Sequence, residues 1–100
     1  IFLKFFLFEY FSFFIYRPSI MSSLKKYKQI FAKVFSLKED YNFNNLKYQD
    51  IPEWDSIGHM TLISELENGF KISIDTDDIV DFSSFKKGQE ILAKYKVKIN

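Results

Sequence analysis

The sequence predicts an all-α protein, a small four-helix bundle of three longer helices and one short one, with a long loop after the first. Three observations carry this prediction. Apolar residues recur at three- and four-residue steps in three stretches, each opened by a capping-type residue. The one alternating stretch, Ile72 and Ile74 within KISIDT, offers two apolar residues and no partner strand, which cannot make a sheet. One hundred residues at 47% hydrophobic content suffice for one domain with one core.

The first helix is expected to start at Ser23 and end near Leu37, about four turns long. Leu24, Tyr27, Phe31 and Val34 form its apolar stripe, with Lys25, Lys26, Lys28 and Lys33 mostly on the other side. The stretch KEDYNFNNLKYQDIPEW then supplies Asn, Asp and Pro at loop density, with Tyr41, Phe43, Leu46 and Ile51 able to pin it to a core. A second helix is expected from about Ser56 to Asn68, with Ile63, Leu66 and Phe70 facing inward and Gly69 as its C-terminal stop. Asp75 or Thr76 can cap the short DDIVDF turn. Ser83 or Ser84 can cap a last helix carrying Phe85, Gly88, Leu92 and Tyr95, with Lys94, Lys96 and Lys98 near its negative end. Isolated helices of this length are marginal in water, so the stripes must pack against one another.

Residues 1–20, IFLKFFLFEYFSFFIYRPSI, differ from the rest: an apolar, phenylalanine-rich run interrupted by Lys4 and Glu9. The run has neither flank of a signal peptide, and as a membrane span it is short and carries two charges. Residues 1–20 are therefore expected to be an apolar extension outside the native domain, and residues 21–100 to be the domain. The alternative is an arm that packs on the domain or on a membrane surface.

The absence of cysteine removes disulfides, thiolate metal sites and cysteine nucleophiles together, and fits a reducing, cytoplasmic setting. The net charge of +1 hides an uneven distribution. Residues 21–49 carry six lysines against Glu39 and Asp40, residues 50–81 nine acids against Lys71, and residues 82–100 five lysines against Glu90. An acidic middle of this kind favours basic partners, and is the opposite of the basic stripe expected of a nucleic-acid binder.

The stretch EWDSIGHM, residues 53–60, holds the only histidine of the chain and gives Ser56 three readings. As structure, Asp55 or Ser56 caps the second helix. As a nucleophile, Ser56 would pair with His59 three residues on, but a hydrolase also needs a group orienting the imidazole and an oxyanion hole, and the segment is no GxSxG elbow. Asp55 and His59 at i and i+4 suit a metal only with a third ligand. As an attachment point, Ser56 would be exposed at a helix start, where the dipole and free amides favour a phosphodiester.

In these residues the chain resembles the acyl carrier proteins. Their attachment motif is Asp-Ser followed by Leu, Ile or Met, and Asp55-Ser56-Ile57 matches it. The likeness runs on without a gap over about thirty residues: Leu62 and Ile63, Leu66 and Glu67, Phe70, Ile74, then Asp77, Asp78 and Ile79 at the start of the short third helix. The resemblance implies an acyl carrier protein-like bundle that is not itself an enzyme. A separate phosphopantetheinyl transferase would move 4′-phosphopantetheine from coenzyme A onto Ser56, and the thiol of the arm would hold acyl groups as thioesters for fatty-acid or specialised lipid or polyketide-type biosynthesis. Asp55, Ile57 and Met60 would flank the arm, with core filler as the plainer role for Met60. Glu53, Glu65, Glu67, Asp77, Asp78 and Asp81 would join Asp55 in facing basic patches on partner enzymes, their plainer role being solvated helix surface. A monomer without stable membrane insertion is expected. Gly58, His59 and Met60 depart from the acidic residues usual after the serine in central fatty-acid carriers, and look more like specialised ones, including peptidyl and aminoacyl carriers. A helical interaction module without a prosthetic group remains the competitor from another class.

Overall fold

In the computed structural model, which describes residues 22–99, the chain turns helical where a serine can cap it. The Ser22 hydroxyl accepts from the Lys25 amide at 3.1 Å and opens α1, Ser23–Phe35. Ser36 ends it in the left-handed conformation, with φ at 57°, and the Leu37 amide folds back to Ala32 O at 2.9 Å. The expectations for residues 1–20 lie outside the described residues.

Asp55 opens α2, Ser56–Phe70, its side chain accepting from the Gly58 amide at 2.8 Å. Gly69 does not stop this helix. Lys71 takes the left-handed position instead, with φ at 59°, while a Cβ on Gly69 would lie 2.9 Å from Ile30 Cδ1. The glycine therefore lies inside α2, where α1 and α2 approach closely, and only resembles a local stop signal. α3, Thr76–Asp81, follows an irregular link rather than a strand. Asp75 holds the N-cap position, yet neither it nor Thr76 makes a side-chain cap. Ser84 caps α4, Phe85–Lys94, by accepting from the Lys87 amide at 2.9 Å.

These four helices enclose one core, and no strand forms among the described residues. Phe31 is its hub. Its ring stands edge-on to Tyr27 at 5.0 Å, to Phe85 at 5.0 Å and to Trp54 at 5.5 Å, while Phe35 stacks on Trp54 at 5.2 Å. Aromatic pairs in these geometries add about 0.5–1.5 kcal/mol beyond the area they bury. Tyr27, fully buried, donates its hydroxyl to Phe85 O at 2.7 Å, joining α1 to the start of α4; burial pushes that hydroxyl's pKa well up.

The long loop between α1 and α2 is tied down along its length. Phe43 and Leu46 are buried as expected, Ile51 packs at the edge, and Tyr41 stays 37% exposed. Trp54, in the segment that approaches α2, is wholly buried and belongs to the core. Two backbone bonds fasten the loop to α4: the Tyr48 amide donates to Ser83 O and the Phe85 amide to Leu46 O, each at 2.9 Å. This pairing, an isolated antiparallel bridge of Lys47 with Ser84, fixes Tyr48 beside the start of α2.

Candidate functional site

Ser56 occupies the first position of α2 and is exposed. Asp55 takes the cap, so the serine hydroxyl is free of that task. The Ser56 and Ile57 amides, at the first two helical positions, have no intrahelical acceptor by geometry, and the positive end of the helix dipole lies beneath the hydroxyl. The chain reaches this point by crossing over the first turn of α2. A Cβ on Gly58 would lie 1.9 Å from Glu53 O, so the approach segment lies where any side chain at that position would stand. The glycine that departs from the carrier pattern thus has a steric reason in this chain.

His59 is fully engaged. The Trp54 indole donates to Nδ1 at 3.0 Å, which makes Nδ1 an acceptor and leaves the proton on Nε2, and Nε2–H donates to Ile79 O at 2.8 Å. A neutral imidazole thus ties the approach segment, α2 and α3 together. The only tryptophan and the only histidine lie five residues apart in the sequence, and that spacing was the available signal. Neither ring nitrogen bonds Ser56. The side chain that does reach it is Tyr48, whose hydroxyl lies 3.3 Å from Ser56 Oγ. With Asp55 capping and His59 spanning to α3, the two are committed to separate partners. No cluster of three His, Cys, Asp or Glu suited to a metal occurs among the described residues.

Two grooves meet at Ser56, and Met60, 53% exposed, lines both of them. The inner groove, about 360 Å³, lies between α2 and α3 and is lined by Tyr48 from the loop, His59 from α2, Ile79 and Val80 from α3, and Phe82 just after it. The outer groove follows the free side of α2 past Ile57, Thr61, Ser64 and Glu65. Met60 is therefore not core filler, and Ile57 at 78% and Val80 at 76% exposure present further apolar surface.

The expected acidic face is divided by the structure. Glu53, Asp55, Asp77 and Asp81 are exposed. Glu65 is half-buried and pairs with Lys33 at 3.4 Å, and Glu67 accepts from the Ile74 amide at 2.8 Å, holding the link to α3. Asp78 is not surface: at 6% exposure its carboxylate accepts from Lys94 Nζ at 2.6 Å and from the Tyr95 hydroxyl at 2.5 Å, locking α3 to α4. Those two hydrogen bonds, Lys94 foremost, hold its carboxyl below the ordinary range, and the same pairing raises Lys94. Tyr95 also accepts from the Asp75 amide at 2.9 Å. A docking role for Asp78 is corrected accordingly, since the sequence showed its charge but not the cation and phenol sixteen and seventeen residues on.

No family model, no curated protein and no solved structure matches the chain. No helix among the described residues is long and apolar enough to cross a membrane.

Proposed function

We propose that this protein is a discrete carrier of the acyl carrier type, modified on Ser56. The observation that supports the reading best is the setting of one hydroxyl: exposed at the first position of α2, relieved of capping by Asp55, over two orphan amides and between two grooves. An arm ending in a phosphodiester fits that setting, because the amides and dipole suit its charge and the apolar groove walls suit its chain. A separate transferase moves 4′-phosphopantetheine from coenzyme A onto Ser56 Oγ, which gives up its proton as 3′,5′-ADP leaves. When bound, the group supplies the terminal thiol for acyl thioesters that a chain without cysteine lacks.

The residues of the chain hold and present. Asp55 keeps the helix start rigid, Ile57 and Met60 flank the arm, and the protein performs no chemistry on the cargo. Glu53, Asp55, Asp77 and Asp81 offer exposed carboxylates to basic partner enzymes, with Glu65 and Glu67 at the margin of that face. The protein works as a cytoplasmic monomer in fatty-acid or specialised lipid or polyketide-type biosynthesis. Aminoacyl or peptidyl cargo uses the same chemistry, and the ligase that loads the modified form separates the two.

The test is the intact mass of wild type and Ser56→Ala after incubation with coenzyme A and a broad-specificity phosphopantetheinyl transferase. A gain of one phosphopantetheine in the wild type alone is expected. No gain in a folded wild-type sample returns Ser56 to the role of a helix start and gives the interaction-module reading the lead.

A further inference from the structure

We infer that Tyr48 is the positioning residue for Ser56, and that it directs an arm on Ser56 into the inner groove between α2 and α3 instead of along the outer side of α2. This rests on the carrier reading of Ser56. Tyr48 is well placed to direct because its own position is fixed. Its amide is bonded to Ser83 O at 2.9 Å, and its ring stands edge-on to Trp54 at 6.3 Å and to His59 at 5.5 Å, with interplanar angles of 90° and 73°. The hydroxyl at the end of this ring reaches Ser56 Oγ at 3.3 Å, a long separation for two hydroxyls. A phosphodiester on Ser56 carries its free oxygens beyond Oγ and accepts only, so the phenol becomes the donor in a shorter, charge-assisted bond. His59 cannot take this part, since its one N–H is held by Ile79 O.

Charge separates the two grooves. The outer one is lined by Glu65, whose carboxylate the exposed Lys33 offsets only in part at 3.4 Å and which therefore disfavours a phosphodiester, and besides Ser56 its other residues are the exposed Ile57, Met60, Thr61 and Ser64. No carboxylate lines the inner one. There the hydroxyls of Tyr48 and Ser83 lie with Ser56, and Phe82, 1% exposed, forms part of the surface with Ile79 and Val80. A trough with hydroxyl groups at one end and an apolar wall suits a chain that begins in phosphate and continues through methyl-bearing carbon.

The experiment compares wild-type full chain with Tyr48→Phe after loading from coenzyme A, by the ³¹P shift of the phosphodiester and by nuclear Overhauser contacts from the methyl groups of the arm. The ring is kept in Tyr48→Phe, so its thermal midpoint checks that the fold is intact. Wild-type contacts are expected to Ile79 and Val80. In Tyr48→Phe the ³¹P resonance moves and those contacts fall about tenfold or more, the loss of one hydrogen bond to a charged group. The inference is overturned if ³¹P shift and contacts are the same in both proteins, or if wild-type contacts run to Ile57 and Thr61. A wild type that accepts no arm at all overturns the carrier reading itself, and this inference with it.

Discussion

Replacing Gly58 by alanine sets two effects of known size against each other. Alanine is favoured over glycine in a helix by about 0.8–1.0 kcal/mol, so propensity alone predicts a more stable protein. At position 58 the added Cβ would stand 1.9 Å from Glu53 O, a backbone atom that cannot turn aside as a side-chain end can. Relieving such an overlap moves the approach segment, which carries the buried Trp54 and the Asp55 cap. Forcing an extra carbon into a packed site costs about 1–3 kcal/mol, and the obstacle here is backbone, so the upper half of that range applies. The net expectation is a loss of roughly 1–2 kcal/mol, which lowers the thermal midpoint by about 4–16 °C for a domain of this size. Gly69→Ala is the internal control. Its Cβ meets only the ends of two flexible side chains, Ile30 Cδ1 at 2.9 Å and Lys26 Cε at 3.5 Å, so a small rotation absorbs it and stability should hold or rise slightly. Urea and thermal unfolding followed by Trp54 fluorescence and circular dichroism measure both variants. A Gly58→Ala protein as stable as Gly69→Ala would refute the crossing of the approach segment over α2.

Two further variants carry expected outcomes. Asp78 has its carboxyl held below the ordinary range in the folded state, so its contribution to stability is full above the unfolded carboxylate value and is lost as pH falls through the folded one. Asp78→Asn should therefore lower the midpoint at neutral pH, and the difference from wild type should shrink as the pH falls below the ordinary aspartate value of about 3.9; an unchanged midpoint at pH 7 would count against the α3–α4 lock. His59→Ala leaves the Trp54 indole without its acceptor, a loss of about 1–3 kcal/mol for a buried donor, read as a lower urea midpoint. The same variant, while folded, should still gain one phosphopantetheine by mass, whereas a serine–histidine hydrolase would show an esterase activity in wild type that disappears in it.

Local demands were legible in the sequence, and long-range ones were not. The helix starts at Ser56 and Phe85 follow from capping residues beside apolar stripes, and Asp55 capping with Ser56 opening α2 needs nothing beyond the neighbouring residues. Gly69 misleads because a glycine set against a neighbouring helix reads in the sequence just like one placed at a helix stop. Six residues of α3 are too few for periodicity to tell a buried carboxylate from an exposed one, so Asp78 passes for surface until Lys94 and Tyr95 are seen against it. Trp54 lies two residues after Pro52 and just before the Asp55 cap, which describes its backbone and says nothing of where its ring goes. Tyr48 lies in an irregular loop whose path depends on α4, and no pattern in residues 38–54 places its hydroxyl beside Ser56.

The bridge between the loop and α4 also bears on the order in which the chain matures. The Leu46 carbonyl and the Tyr48 amide find their backbone partners at residues 85 and 83, and the Tyr27 hydroxyl finds its own at Phe85, 58 positions away. Contacts of such sequence separation pay their loop-closure entropy early and form slowly. During synthesis the Asp55-Ser56-Ile57 tripeptide emerges well before α4, so the serine exists for a time without the tyrosine held at its side. A fragment ending before residue 83 would keep the motif and lose the loop's anchor, which makes a finished Ser56 environment a signal that the whole domain has been made and folded.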